Sequence, residues 1–155
     1  MPAGLERALR LLAFLMPMLL PAKGSQVIIE DSGSTNRPGV RVTVDREGRA
    51  IVEERRGQPH SVKLHGPKCE QFLDELKSVG HLSALPAHHC MKSVSFGSSL
   101  FIEFNGERSP DLSCPGQDSR IEALRKFANE ILQEAREAAG IKPRRIFPVR
   151  VPNPG

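Results

Sequence analysis

Val40, Val42 and Val44 alternate with Arg41 and Thr43, the period-two pattern of a strand with one dry face. Asp45-Arg46-Glu47-Gly48 reads as a tight turn, and residues 50–54 return as the second arm of a hairpin. Upstream, the run 26–30 (QVIIE) is β-prone, and it gives way to a loop by composition at 31–39. A short strand at 60–64 follows Gln58-Pro59.

The period then changes. Gly66-Pro67 opens a helix, since proline suits the first helical position, and Cys69, Phe72, Leu73, Leu76 and Val79 form one stripe that stops at Gly80. From Val94 the even positions read Val94, Phe96, Ser98, Leu100, Ile102 and Phe104. That phase predicts a long strand over 94–104 bent at Gly97, or two strands in register. Asn105-Gly106 is a hairpin signal. A plain two-residue loop would set Ile102 opposite Ser109. A bulged register sets Ile102 opposite Pro110, Leu100 opposite Leu112 and Ser98 opposite Cys114, keeping apolar residues on one face. The apolar pattern favours the bulged register, with Pro110 marking an edge strand. Ser119-Arg120-Ile121-Glu122 reads as a capping box. It starts a helix whose stripe of Ile121, Leu124, Ala128, Ile131, Leu132, Ala135 and Ala139 should end at Gly140.

Hairpins dominate this order. The natural solution is an α+β fold, with an antiparallel sheet of about five to six strands and two amphipathic helices packed on one face. Residues 25–140 are expected to make one such domain, and 141–155, Pro- and Arg-rich, a flexible tail.

The first residues change the picture of the charge. Arg7 and Arg10 precede an apolar run at 11–20, followed by Ala22 and Gly24 at the −3 and −1 positions of a cut before Ser25. This is the pattern of a secretory signal peptide. The run is about half the roughly 20 residues that a bilayer span needs and contains Pro17, so a membrane anchor is disfavoured. Arg7, Arg10 and Lys23 would leave with the signal along with Glu6, taking the formal net charge from +4 to +2. Lys142, Arg144, Arg145 and Arg150 hold four positive charges in the tail, which leaves the body at −2. A nucleic-acid binder would concentrate basic residues and stacking aromatics on the domain itself. There is no Trp or Tyr, which also argues against a carbohydrate platform. The expected location is secreted or periplasmic.

Export sets the redox rules for Cys69, Cys90 and Cys114. Three is odd, so one intramolecular bridge at most is expected. Cys69 lies on an apolar stripe, where a free thiol acts as a small hydrophobe. Cys90 and Cys114 flank the second hairpin and are the expected pair. His88-His89-Cys90, with His81 upstream, has the composition of a metal cluster but lacks ligand spacing, so no metal and no cofactor are expected. A thiol enzyme or hydrolase using Cys90 with His88 or His89 is the alternative reading of the same residues. No catalytic motif supports it, and no catalytic residue is assigned.

Two long loops remain, 31–39 and 87–99, with Asp31, Ser34, Thr35, Asn36, Arg37, His88, His89 and Ser95 as candidate binding residues. The function expected is an exported, non-enzymatic domain that binds an extracytoplasmic protein or small ligand. An inhibitor is one form of it.

Overall fold

Apolar residues at every second position become strands, and stripes at three- and four-residue spacing become helices. The computed structural model describes residues 25–142; the signal segment 1–24 and the tail beyond Lys142 lie outside the described residues. Chain order is β1 (Val27–Asp31), β2 (Val40–Val44), β3 (Arg49–Glu54), β4 (His60–Lys63), α1 (Gly66–Val79), β5 (Leu100–Phe104), β6 (Glu107–Arg108) and α2 (Ser119–Ala138), with a short 3-10 turn at Leu82–Ala84. The strands form one antiparallel sheet in the order β4-β3-β2-β1-β5-β6. The fold is α+β.

Register builds the core in rows. Ile102, Ile29, Val42 and Val52 stand opposite one another across four strands, and all four are fully buried. α2 crosses β1–β4, laying Ile121, Leu124, Ala128, Ile131, Leu132 and Ala135 into the same cluster. α1 joins it with Cys69, Phe72, Leu73 and Leu76, and Phe72 meets Phe127 of α2 at 5.9 Å between ring centroids. Burying each large side chain of this kind contributes about 1.5–3 kcal/mol, so the helix-facing layer dominates the stabilisation. Glu134 of α2 anchors the start of α1. It accepts the His65 backbone N–H at 2.5 Å and pairs with Lys68 at 3.2 Å.

Among the described residues the other face of the sheet carries no helix and is charge-paired. Arg41 lies 3.9 Å from Glu30 and 3.6 Å from Glu103. Arg108 reaches Glu30 at 3.1 Å and stacks 4.2 Å from the Phe101 ring centroid.

Three expectations change. The strand over 94–104 is confined to 100–104; Val94 and Phe96 are exposed in a turn, and Gly97 N–H donates to Ser93 C=O at 2.6 Å. The second hairpin is a composite of the two registers weighed for it. Next to the turn it takes the plain one, Phe104 opposite Glu107 and Glu103 opposite Arg108, with Ser109 N–H donating to Ile102 C=O at 2.9 Å. One residue is then absorbed around Pro110, and Leu112 N–H donates to Leu100 C=O at 2.8 Å. Ile102 therefore faces Ser109 rather than Pro110. Two side chains make the slip tolerable by replacing strand carbonyls: Ser109 Oγ accepts Ile102 N–H at 3.0 Å, and Asp111 Oδ1 accepts Leu100 N–H at 3.0 Å.

The N-cap of α2 is Asp118 rather than Ser119. Its carboxylate accepts Arg120 N–H at 2.9 Å, which leaves Ser119 in the first turn. An aspartate caps at least as well as a serine, and its charge suits the positive helix end. The helix ends at the expected place. Gly140 takes a φ of 70°, its N–H donates to Glu137 C=O at 3.1 Å, and Ile141 N–H donates to Arg136 C=O at 2.9 Å. This pair of bonds is the Schellman arrangement, which favours a glycine at the left-handed position.

Candidate functional site

β1 pairs with β5 so that Asp31 faces Leu100, and this register brings both long loops to one end of the sheet. Loop 31–39 is itself folded. Ser34 N–H donates to Arg37 C=O at 2.8 Å, closing a turn with Thr35 and Asn36 at its tip. Gly33, at φ 70°, has room for no side chain, because a Cβ would lie 2.3 Å from the Gly39 nitrogen. Four hydrogen bonds tie this loop to 87–99. Ser32 N–H donates to Ser99 C=O at 2.9 Å and Ser99 N–H to Ser32 Oγ at 2.8 Å, Thr35 Oγ1 donates to Val94 C=O at 3.1 Å, and Arg37 Nη2 donates to Ser98 Oγ at 3.0 Å. Asp31 is the buried pivot, 5 % exposed. Its Oδ1 accepts Gly33 N–H at 2.9 Å, and its Oδ2 accepts from Arg37 at 2.7 Å and from Arg136 of α2 at 2.8 Å.

Loop 87–99 is fastened at its base. Cys90 is bonded to Cys114, with 5.6 Å between their Cα atoms. Lys92 pairs with Asp111 and donates to Ser99 Oγ at 2.9 Å. Asp111 is desolvated, which opposes its ionisation, but the hydrogen bonds from Lys92 and the Ser113 backbone outweigh this and hold its pKa well below the usual carboxylate range. Beyond these anchors the loop carries Met91, Val94 and Phe96 in water, at 103 %, 86 % and 66 % exposure. Ser95 is half-buried in the same turn, His89 is exposed, and the His88 ring lies against Gly116, where its Nε2 is buried without a hydrogen-bond partner.

Between this loop and α2 runs a cleft of about 750 Å³, with Met91, Lys92 and Phe96 on one wall and Arg125, Lys126 and Asn129 on the other. It is an amphipathic recess whose cationic groups are matched by acids, Glu122 and Glu130 in the lining and Asp111 beside Lys92. The Cys90 sulfur is bonded to Cys114, so it has no thiolate for either neighbouring histidine to activate. Cys69 is buried, and desolvation, with Glu134 next in effect, pushes its thiol up to about 11. His81 sits apart from His88 and His89, its Nδ1 2.6 Å from Glu107, and that hydrogen bond raises its pKa. Among the described residues no three His, Cys, Asp or Glu side chains converge as a metal site, and no helix is long and apolar enough to cross a membrane.

Sequence reasoning missed Arg136 and Ser98, which complete the Asp31 cluster, and read Val94 and Phe96 as a buried strand face. A signal against that strand was present. The stretch 91–99 holds four serines and a glycine in nine residues, the composition of a loop. No known protein family, curated protein or solved structure matches this chain.

Proposed function

We propose that this chain is an exported, non-enzymatic binding domain that engages an extracytoplasmic protein through the joined loops 31–39 and 87–99. The observation that carries the reading is the exposure of Met91, Val94 and Phe96 together on a loop anchored by the Cys90–Cys114 bridge. Covering apolar surface is favourable by about 25 cal/mol per Å², and methionine and aromatic side chains are enriched at the centres of protein interfaces. Anchoring lowers the ordering cost that a free loop would meet on binding. The partner this chemistry fits has an apolar groove, and an enzyme cleft blocked by the loop is the inhibitor form of the same reading. The disulfide and the signal pattern support an oxidising compartment.

A photo-crosslinking residue placed at Val94, and in a second protein at Ile51 on the open sheet face, tests the reading in an extracytoplasmic fraction. A discrete adduct from position 94 alone, abolished by Phe96→Asp with the melting temperature unchanged, is expected. Equal adducts from both positions, or one that survives Phe96→Asp, would overturn it. Rapid thiol labelling of Cys90 in the native purified protein would instead favour the thiol-enzyme reading with His88 or His89.

A further inference from the structure

A second cleft adjoins the first at Asn129. Arg37 and Pro38 wall it from loop 31–39, Gln133 and Arg136 from α2, and Ile141 from the residues after it, enclosing about 410 Å³. That lies within the roughly 300–1,000 Å³ range of small-molecule sites. Two guanidinium groups converge here on one acid, since Arg37 Nη2 and Arg136 Nη2 both donate to Asp31 Oδ2, at 2.7 and 2.8 Å. One carboxylate against two cations leaves a positive charge uncompensated. Glu137 and Lys142, which also line the cleft, cancel each other.

The donors are underused as well. Arg136 Nε is buried and has no hydrogen-bond partner. Arg37 donates through Nη2 alone, to Asp31 and Ser98 among the described residues. Buried donors are normally satisfied, and Arg136 Nε is the one here that is not, while the Arg37 side chain, 44 % exposed, keeps N–H groups that a ligand could take in place of water.

We propose that this cleft binds an organic monocarboxylate, with Arg37 and Arg136 receiving the carboxylate and Pro38 and Ile141 lying against an apolar body. The planar guanidinium fork matches a carboxylate. A single surplus charge suits a monoanion better than a phosphate dianion, and the apolar walls suit carbon rather than water. The site shares Arg37 and Pro38 with loop 31–39 but none of Met91, Val94 and Phe96, the apolar residues that carry the docking reading, so the two readings fail separately.

The test is titration of the oxidised, processed protein with hexanoate, followed by backbone amide chemical shifts, with hexanamide and inorganic phosphate as controls. Hexanoate is expected to give saturable shifts centred on Arg37, Gln133, Arg136 and Ile141, and hexanamide none. Arg37→Gln should weaken hexanoate by about tenfold or more, the scale of a hydrogen bond to a charged group. Arg37→Lys, which keeps the charge without the fork, should fall between, and it serves if the glutamine variant does not fold. The proposal is overturned by the absence of saturable shifts, by equal binding of hexanamide, by tighter binding of phosphate, or by unchanged hexanoate affinity in the Arg37 variants.

Discussion

Asp111 shows how much one half-buried carboxylate organises. Its Oδ1 accepts the Leu100 and Ser113 backbone N–H groups at 3.0 and 2.9 Å, and its Oδ2 holds Lys92. Nothing in the sequence singled it out, because an aspartate between Pro110 and Leu112 reads as an ordinary loop acid. Its role depends on where β5 lies. A carboxylate whose folded pKa is depressed stabilises the fold above its unfolded value of about 3.9, and that contribution is lost as pH falls through the folded value. Asp111→Asn is therefore expected to be less stable than the native chain at pH 7. Its melting temperature should fall less steeply between pH 5 and pH 2, roughly the window below the unfolded pKa, so that the two curves approach each other. Parallel curves in a thermal scan would show that Asp111 does not titrate this way. Cys69 was legible from the sequence for the opposite reason: position on a helical stripe is local information, and the thiol is buried where the stripe places it.

Among the elements, the helical stripes and the short β2 alternation were readable, whereas the longest alternation, 94–104, held only over its last five residues. The stripe of α1 and the β2–β3 hairpin appear as the spacing predicts. The β5–β6 hairpin did not follow its pattern, because alternation treats every strand position as a backbone pair. Ser109 and Asp111 satisfy N–H groups with side-chain oxygens, which lets two registers coexist in one hairpin. Ser109 is buried, and its hydroxyl accepts Ile102 N–H while donating to Pro110 C=O at 2.8 Å. Ser109→Ala should leave the Ile102 N–H without an acceptor and cost about 1–3 kcal/mol. Urea denaturation should show this as a lower midpoint at unchanged slope. A midpoint equal to that of the native chain would mean that water or a backbone shift restores the bond.

For the molecule as a whole, the two candidate loops were visible in the sequence, but their union was not. It depends on β1 pairing with β5 across 69 to 77 positions, from Asp31 ↔ Leu100 to Val27 ↔ Phe104, and on Arg136 arriving from α2. Such long-range pairing leaves no periodic trace. The bridge was legible because cysteine arithmetic and the burial of Cys69 leave one pair. With 24 residues of separation, Cys90–Cys114 should contribute about 3–4 kcal/mol by restricting the unfolded chain. Unfolding measured with and without reductant checks this, and a difference near zero would place its value elsewhere than in stability.

The same bond makes the exposed loop dispensable as a covalent link. Lys92 and Phe96 offer a protease open chain, yet any cut between Cys90 and Cys114 leaves both halves joined through sulfur. β5 remains hydrogen-bonded to β1 in the other half. A nicked molecule would run as one band without reductant and as two with it. In a medium rich in proteases, such a domain can be scarred at its most accessible point and still travel as one piece.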